Sequence, residues 1–118
     1  MVEESQNEIG EIPSKVRWYH LVACFFAGIF LANAVPHYVN GISGDAFPTP
    51  FANPPGVGLS APVVNVGWAL INVVIGYVLV KVGKLSEKNK WTVAAFFTGV
   101  VLISLVLSIH FSGKALGA

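Results

Sequence analysis

Charge is scarce in this chain of 118 residues. Only 11% of the residues are charged, against about 25% in a typical soluble domain, and 54% are hydrophobic. Three long segments contain no charged residue, namely residues 18–44, 46–80 and 91–113. This composition argues against an ordinary soluble fold, and its hydrophobicity excludes intrinsic disorder. It indicates an integral membrane protein whose first partner is the lipid bilayer.

Cysteine is scarce as well, and so are the sequence motifs of catalytic, phosphate-binding and metal-binding sites. Cys24 is the single cysteine, which excludes an intramolecular disulfide, and the net charge of +1 gives no basic surface for nucleic acid. The sequence contains no Gly-x-Ser-x-Gly elbow, phosphate-binding loop, paired carboxylates or His-x-x-x-His spacing. We therefore predict no catalytic residue, no cofactor site and no metal site.

The uncharged segments predict a single all-α membrane domain with three transmembrane helices. About 20 residues at 1.5 Å each cross roughly 30 Å of hydrocarbon, and Pro36 is expected to end or bend the first helix. The predicted parts are an acidic cytoplasmic tail (1–14), three helices (16–36, 61–82 and 91–112), an exoplasmic loop (37–60), a cytoplasmic loop (83–90) and an exoplasmic tail (113–118).

A secretory signal peptide is the alternative interpretation of the first helix. Residues 21–31 form an apolar core, and Ala32-Asn33-Ala34 has the form of a cleavage site. The preceding segment is long and contains four glutamates, which favours an uncleaved anchor. If residues 1–34 were removed, a protein with two spans would begin at Val35.

The first loop is rich in proline and glycine but is not composed like a solvated linker. Asp45 is its only charged residue, and Phe47 and Phe51 need an apolar environment. We expect an ordered loop that folds back over the helix ends, because non-helical backbone at the membrane must be covered. Its residues that oppose regular helix or strand are Gly41, Gly44, Pro48, Pro50, Pro54, Pro55, Gly56 and Gly58.

Orientation follows from the distribution of lysine and arginine. If the chain crosses three times, six of the seven basic residues fall on the side of the amino terminus, and Lys114 alone falls on the other side. The positive-inside rule then predicts a cell inner (plasma) membrane protein with a cytoplasmic amino terminus and an exoplasmic carboxy terminus.

Polar residues at the predicted outer boundary are the candidate site. Topology brings five of them to a common depth: Asn33, His37, Asp45, Asn65 and His110. Structural tethering of the loop is the favoured interpretation; a small-molecule or lipid site and a metal or catalytic site are the alternatives. Asn72, near the middle of the second helix, is predicted to contact another helix, with a polar path through an oligomer as its alternative.

One pattern resembles known proteins. Residues 33–72 contain Asn-x-x-Pro-His, Gly-x-x-Gly-x-x-Phe-Pro-Thr-Pro-Phe and Asn-Pro-Pro-Gly, followed by Asn65, Trp68 and Asn72. This resembles a set of small uncharacterised bacterial membrane proteins in which such a segment joins the first two spans, and no function is known for that set. The resemblance implies that the loop and its flanking helix ends form one unit.

Small residues at helical spacing predict close helix contacts. Cys24, Gly28 and Ala32 form such a stripe in the first span, and Ala95 and Gly99 form another in the third. We therefore expect a non-catalytic accessory or interaction subunit, or a homo-oligomer. The alternatives are a small oligomeric transporter or channel, and a membrane-embedded protein that binds a lipid or ligand, or an enzyme, at the outer polar cluster.

Overall fold

Three long helices dominate the structure, a computed structural model that describes residues 15–116. All three are long and apolar enough to cross a membrane, which confirms the prediction of a mainly helical fold with three helices of membrane-spanning length. The elements in chain order are α1 (Trp18–Ile42), β1 (Phe47–Pro48), β2 (Leu59–Ser60), α2 (Pro62–Val82) and α3 (Lys90–Leu116).

Helix α1 continues through Pro36 and ends at Ile42, beyond the predicted boundary of the first span. Proline lacks an N–H group, so the helix loses one internal hydrogen bond at this position. The amide Nδ2 of Asn40 donates to the Pro36 carbonyl at 2.7 Å, which adds a side-chain bond one turn later. Because the helix continues, Asn33 and His37 lie one turn apart on the same face.

Helix α1 is the central element, because α2 and α3 each pack along α1 rather than along each other. Glycines allow α1 and α3 to approach closely. A Cβ atom at Gly28 would overlap the Phe96 carbonyl oxygen, and one at Gly99 would overlap the Phe25 carbonyl oxygen. The two predicted small-residue stripes therefore meet inside the chain.

The contact between α1 and α2 is equally close along its length. A Cβ atom at Gly41 would lie 2.9 Å from the Pro62 carbonyl oxygen, near the start of α2. At the other end of α2, the Cys24 thiol donates a hydrogen bond to the Gly83 carbonyl oxygen at 3.2 Å. Such packing aligns α2 on α1 and sets the position of the side chains between them.

The segment between α1 and α2 folds back on itself. Strands β1 and β2 pair antiparallel, with Phe47 opposite Ser60. The Gly56 N–H donates to the Thr49 carbonyl at 2.8 Å, and Gly56 has a φ of +72°, which glycine adopts most readily. Of the two phenylalanines expected to dock, Phe47 is buried and Phe51 is 66% exposed.

The two ends of the bundle differ in character. The loop end comprises the last turns of α1, residues 43–61, the first turns of α2 and the last turns of α3. The basic end comprises the start of α1, the connection between α2 and α3, and the start of α3. Its basic residues are Lys15, Arg17, Lys81, Lys84, Lys88 and Lys90.

Candidate functional site at the loop end

Asn65, in the first turn of α2, is fully buried and connects three elements. Its amide Nδ2 donates to the carbonyl oxygens of Phe47 at 3.0 Å and of Ser60 and Ala61 at 3.2 Å. Because carbonyl oxygens only accept hydrogen bonds, the amide nitrogen must face them. The side-chain oxygen of Asn65 therefore faces His37.

His37 is held in one orientation by that oxygen. Its Nδ1 lies 2.7 Å from the Oδ1 of Asn65, which can only accept, so Nδ1 carries the proton and donates. In the neutral imidazole, Nε2 then carries a lone pair. The ring is buried and stands edge-to-face against Phe47 and Trp68, at centroid distances of 5.4 and 6.5 Å.

A pair of amides, Asn33 and Asn72, lies deeper, one turn from His37 along α1 and two turns from Asn65 along α2. The Nδ2 of fully buried Asn72 donates to the Trp68 carbonyl at 2.7 Å, so its Oδ1 faces Asn33 and accepts from the Asn33 Nδ2 at 3.1 Å. Asn72 thus contacts α1, and its amide is used inside the chain. The remaining side-chain oxygen of Asn33 is an acceptor without a further partner among residues 15–116.

His110 contacts the loop from α3. Its Nε2 lies 2.8 Å from the Gly56 carbonyl oxygen, so Nε2 donates and the Nδ1 of the neutral ring carries the lone pair. Asp45, by contrast, is exposed, and its side chain makes no hydrogen bond to the polar side chains described above. Of the five residues predicted at a common depth, the structure brings four to one place and leaves out Asp45.

Asn33, His37 and His110 line a cleft of about 270 Å³ between α1, α2, α3 and the loop. None of the lining residues is an aspartate, glutamate, lysine or arginine. The polar side sits on α1, α2 and the loop, and α3 supplies most of the apolar side. The lining residues are Asn33, His37, Pro48, Thr49, Pro50, Gly56, Trp68, Val106, Leu107, His110 and Phe111.

One buried donor at this cleft has no hydrogen-bond partner in the part of the chain that the structure describes. The indole Nε1 of Trp68 is buried, and within the described part of the chain nothing accepts its hydrogen. The ring of Phe51 packs against this indole in a T-shaped arrangement, with the ring centroids 5.0 Å apart and the ring planes at 89°. A buried donor without an acceptor raises the free energy of the folded state by about 1–3 kcal/mol, so an acceptor that reached the Trp68 N–H would stabilise the folded state.

Trp68 and Thr49 are the site residues that sequence reasoning missed. Thr49 is fully buried, and its hydroxyl lies 2.6 Å from the Ser60 hydroxyl. For Trp68 a signal existed, because it follows Asn65 by three positions and precedes Asn72 by four, which places all three on one face. For Thr49, between two prolines, the sequence carries no such signal.

Within residues 15–116, no three histidine, cysteine, aspartate or glutamate side chains group closely enough to hold an ion.

A scan against family models found no match to this chain, and searches of curated proteins and of solved structures found none either. Function is therefore inferred from the loop end itself.

Proposed function

We propose that this protein is a non-catalytic membrane protein that binds an amphipathic ligand, such as a lipid, in the cleft at the loop end. The observation that carries the proposal is the buried Trp68 N–H without an acceptor. A ligand oxygen at this position would supply the missing hydrogen bond, which neither a purely structural cleft nor its apolar walls can do.

The distribution of polarity in the cleft supports an amphipathic ligand. Asn33, His37 and Trp68 provide polar atoms on one side, whereas Val106 and Leu107 provide an apolar wall on α3. A volume of about 270 Å³ is slightly below the 300–1,000 Å³ typical of ligand pockets. The cleft therefore suits a head group, with the apolar part of the ligand lying along α3.

Orientation and location are part of the proposal. The basic end faces the cytoplasm and the loop end faces the exoplasmic side of the cell inner membrane, so the proposed ligand enters from the exoplasmic leaflet. The charge asymmetry supports this arrangement, because short loops rich in lysine and arginine stay on the cytoplasmic side.

Filling the cleft tests the proposal. Leu107 lines the cleft, whereas Leu105, on the same helix, is 58% exposed and does not. We expect wild type and Leu105→Trp to retain a bound molecule after purification in mild detergent, and Leu107→Trp to lose it. Native mass spectrometry of the intact protein, followed by extraction of the bound molecule, gives the readout. An equal amount of bound molecule in both variants would contradict the proposal.

A role as an accessory subunit or homo-oligomer is the second candidate. Only 11% of the apolar stretch of α3 is buried within the chain, compared with 33% for α1, so most of α3 is free for a protein partner. The molar mass in mild detergent, measured by light scattering after size exclusion, tests for the homo-oligomer.

A polar path across the membrane through an oligomer is less well supported, since the Asn72 amide already bonds Asn33 and Trp68.

A further inference from the structure

We propose that the cleft recognises an uncharged, hydroxyl-bearing head group, with one hydroxyl accepting from the Trp68 N–H and hydroxyl hydrogens donated to the acceptors around it. This inference rests on the proposed function and names the chemistry of its ligand. It follows from counting the donors and acceptors that the protein leaves unused.

The unused donor is the Trp68 indole nitrogen, which can only donate. The unused acceptors follow from the orientations fixed above. They are the Nε2 of His37, because its Nδ1 donates to Asn65; the Nδ1 of His110, because its Nε2 donates to Gly56; and the Oδ1 of Asn33, because its Nδ2 donates to Asn72. Residues that line the cleft thus leave the Trp68 donor and these three acceptors unused.

A hydroxyl group is the simplest group that matches this set, because it donates one hydrogen and accepts through two lone pairs. The ring centroids of Trp68 and His37 are 6.5 Å apart, so the two rings are neighbours at the cleft. Further hydroxyls on the same head group can donate to His110 and Asn33. A polyol head group therefore satisfies more of the cleft than a single alcohol.

Other head groups match less well. A ketone or an ester accepts from Trp68 but gives no hydrogen to His37. An ammonium group donates to the acceptors but leaves the Trp68 N–H without a partner. A phosphate or an ammonium also brings a charge, and no charged side chain lines the cleft to compensate its loss of hydration.

Matched probes test the inference on the full-length protein. The probes are a monoacylglycerol with its two free hydroxyls, the same molecule with both hydroxyls methylated, and free glycerol. Trp18 and Trp91 are 74% and 64% exposed, so the variant Trp18→Phe/Trp91→Phe isolates the fluorescence of Trp68. We expect the monoacylglycerol to shift this emission and to bind at least about tenfold more tightly than its dimethyl ether, since the ether leaves the acceptors without hydrogens.

Trp68→Phe keeps an aromatic ring against Phe51 but removes the N–H. Measured by calorimetry, its affinity for the monoacylglycerol should fall about tenfold, whereas Trp91→Phe, at the basic end, should bind like wild type. Glycerol that binds as tightly as the monoacylglycerol would identify a free polyol as the ligand, and weaker binding would identify a lipid. The dimethyl ether tests hydroxyl recognition itself.

Two results would overturn the inference, and they are distinguishable. Equal affinity of wild type for the monoacylglycerol and its dimethyl ether would refute hydroxyl recognition while leaving ligand binding intact. Failure of all probes, together with the same bound molecules in Leu107→Trp as in wild type, would refute the proposed function as well. Both results come from wild type or a variant outside the hydrogen-bonded set, so they do not depend on the folding of Trp68→Phe.

Discussion

Two buried asparagines organise the loop end at the scale of single residues. Asn65 donates to three carbonyl oxygens, and Asn72 donates to the Trp68 carbonyl. In each case the carbonyls determine which way the amide points, and the amide oxygen then determines the orientation of a partner, His37 or Asn33. The acceptors that stay unused belong to Asn33 and His37, which line the cleft, so the structural and the proposed binding roles of these amides are coupled.

Replacing Asn65 should destabilise the loop end. Asn65→Leu preserves the approximate side-chain volume but leaves buried groups on His37 and the loop without their partner, so the free energy of unfolding should fall by about 1–3 kcal/mol. Thermal unfolding in detergent measures this change. Protease accessibility between Gly41 and Gly58 should rise in parallel, because Asn65 connects α2 to both strands of the loop.

Asn40→Leu is the matched control. It makes the same substitution on α1, but the lost bond joins Asn40 only to the Pro36 carbonyl of its own helix. We expect a smaller decrease in stability and no change in cleavage of the loop. A loop that is cut at the same rate in wild type and Asn65→Leu would show that Asn65 does not hold it.

The residue scale also shows where prediction from sequence stops. Asn33, His37, Asn65 and His110 could be assigned to one end because helix ends alternate sides and polar residues are rare in apolar runs. Their pairings could not be predicted, since these depend on how far α1 is rotated against α2 and α3. Trp68 is apolar by composition, and only its unpaired Nε1 in three dimensions makes it a candidate for ligand binding.

At the scale of elements, the position of His37 depends on the continuation of α1 beyond Pro36. Proline is a weak stop signal within a membrane, because few alternatives to helix satisfy the backbone there. The sequence therefore left two outcomes open, a helix that ends and one that bends or continues. The last turns of α1 reach the loop, where Gly41 allows contact with the start of α2.

The close contact between α1 and α3 requires glycine at position 99, and replacing this glycine should therefore lower the stability of the protein. Gly99→Ala places a methyl group against the Phe25 carbonyl of α1, so we expect stability to fall by about 1–3 kcal/mol through overpacking. A Cβ at Gly67, on α2, meets nothing within 4 Å. Gly67→Ala should therefore be neutral or stabilising, because alanine favours the helix by about 0.5–1 kcal/mol.

Thermal unfolding monitored by circular dichroism compares the two alanine variants under the same detergent conditions. The contrast between them matters more than either value, since both variants make the same chemical change in an apolar helix. Equal stability of Gly99→Ala and Gly67→Ala would mean that α1 and α3 are less closely packed than the structure has them.

At the scale of the whole molecule, scarcity of charge predicted the architecture better than any motif did. Each uncharged segment contains most of one helix long enough to span a membrane, because a membrane leaves backbone amides few other solutions. The fold of residues 43–61 was harder to predict. Its strands have two residues each and include Pro48, and pairing so short depends on packing against Asn65 and Phe111 rather than on local sequence.

The orientation of the molecule gives the last prediction. With three spans, residue 118 and residues 83–90 lie on opposite sides, and the positive-inside rule assigns the basic end to the cytoplasm. A phosphatase fused at residue 118 should be active and a fluorescent protein there should be dark, whereas fusions within 83–90 should behave in the opposite way. Replacing Lys81, Lys84, Lys88 and Lys90 with glutamine should weaken this bias, since only Lys15 and Arg17 would remain at the basic end. A reporter at residue 118 that is active only in the cytoplasm would refute both the orientation and the entry of the ligand from the exoplasmic leaflet.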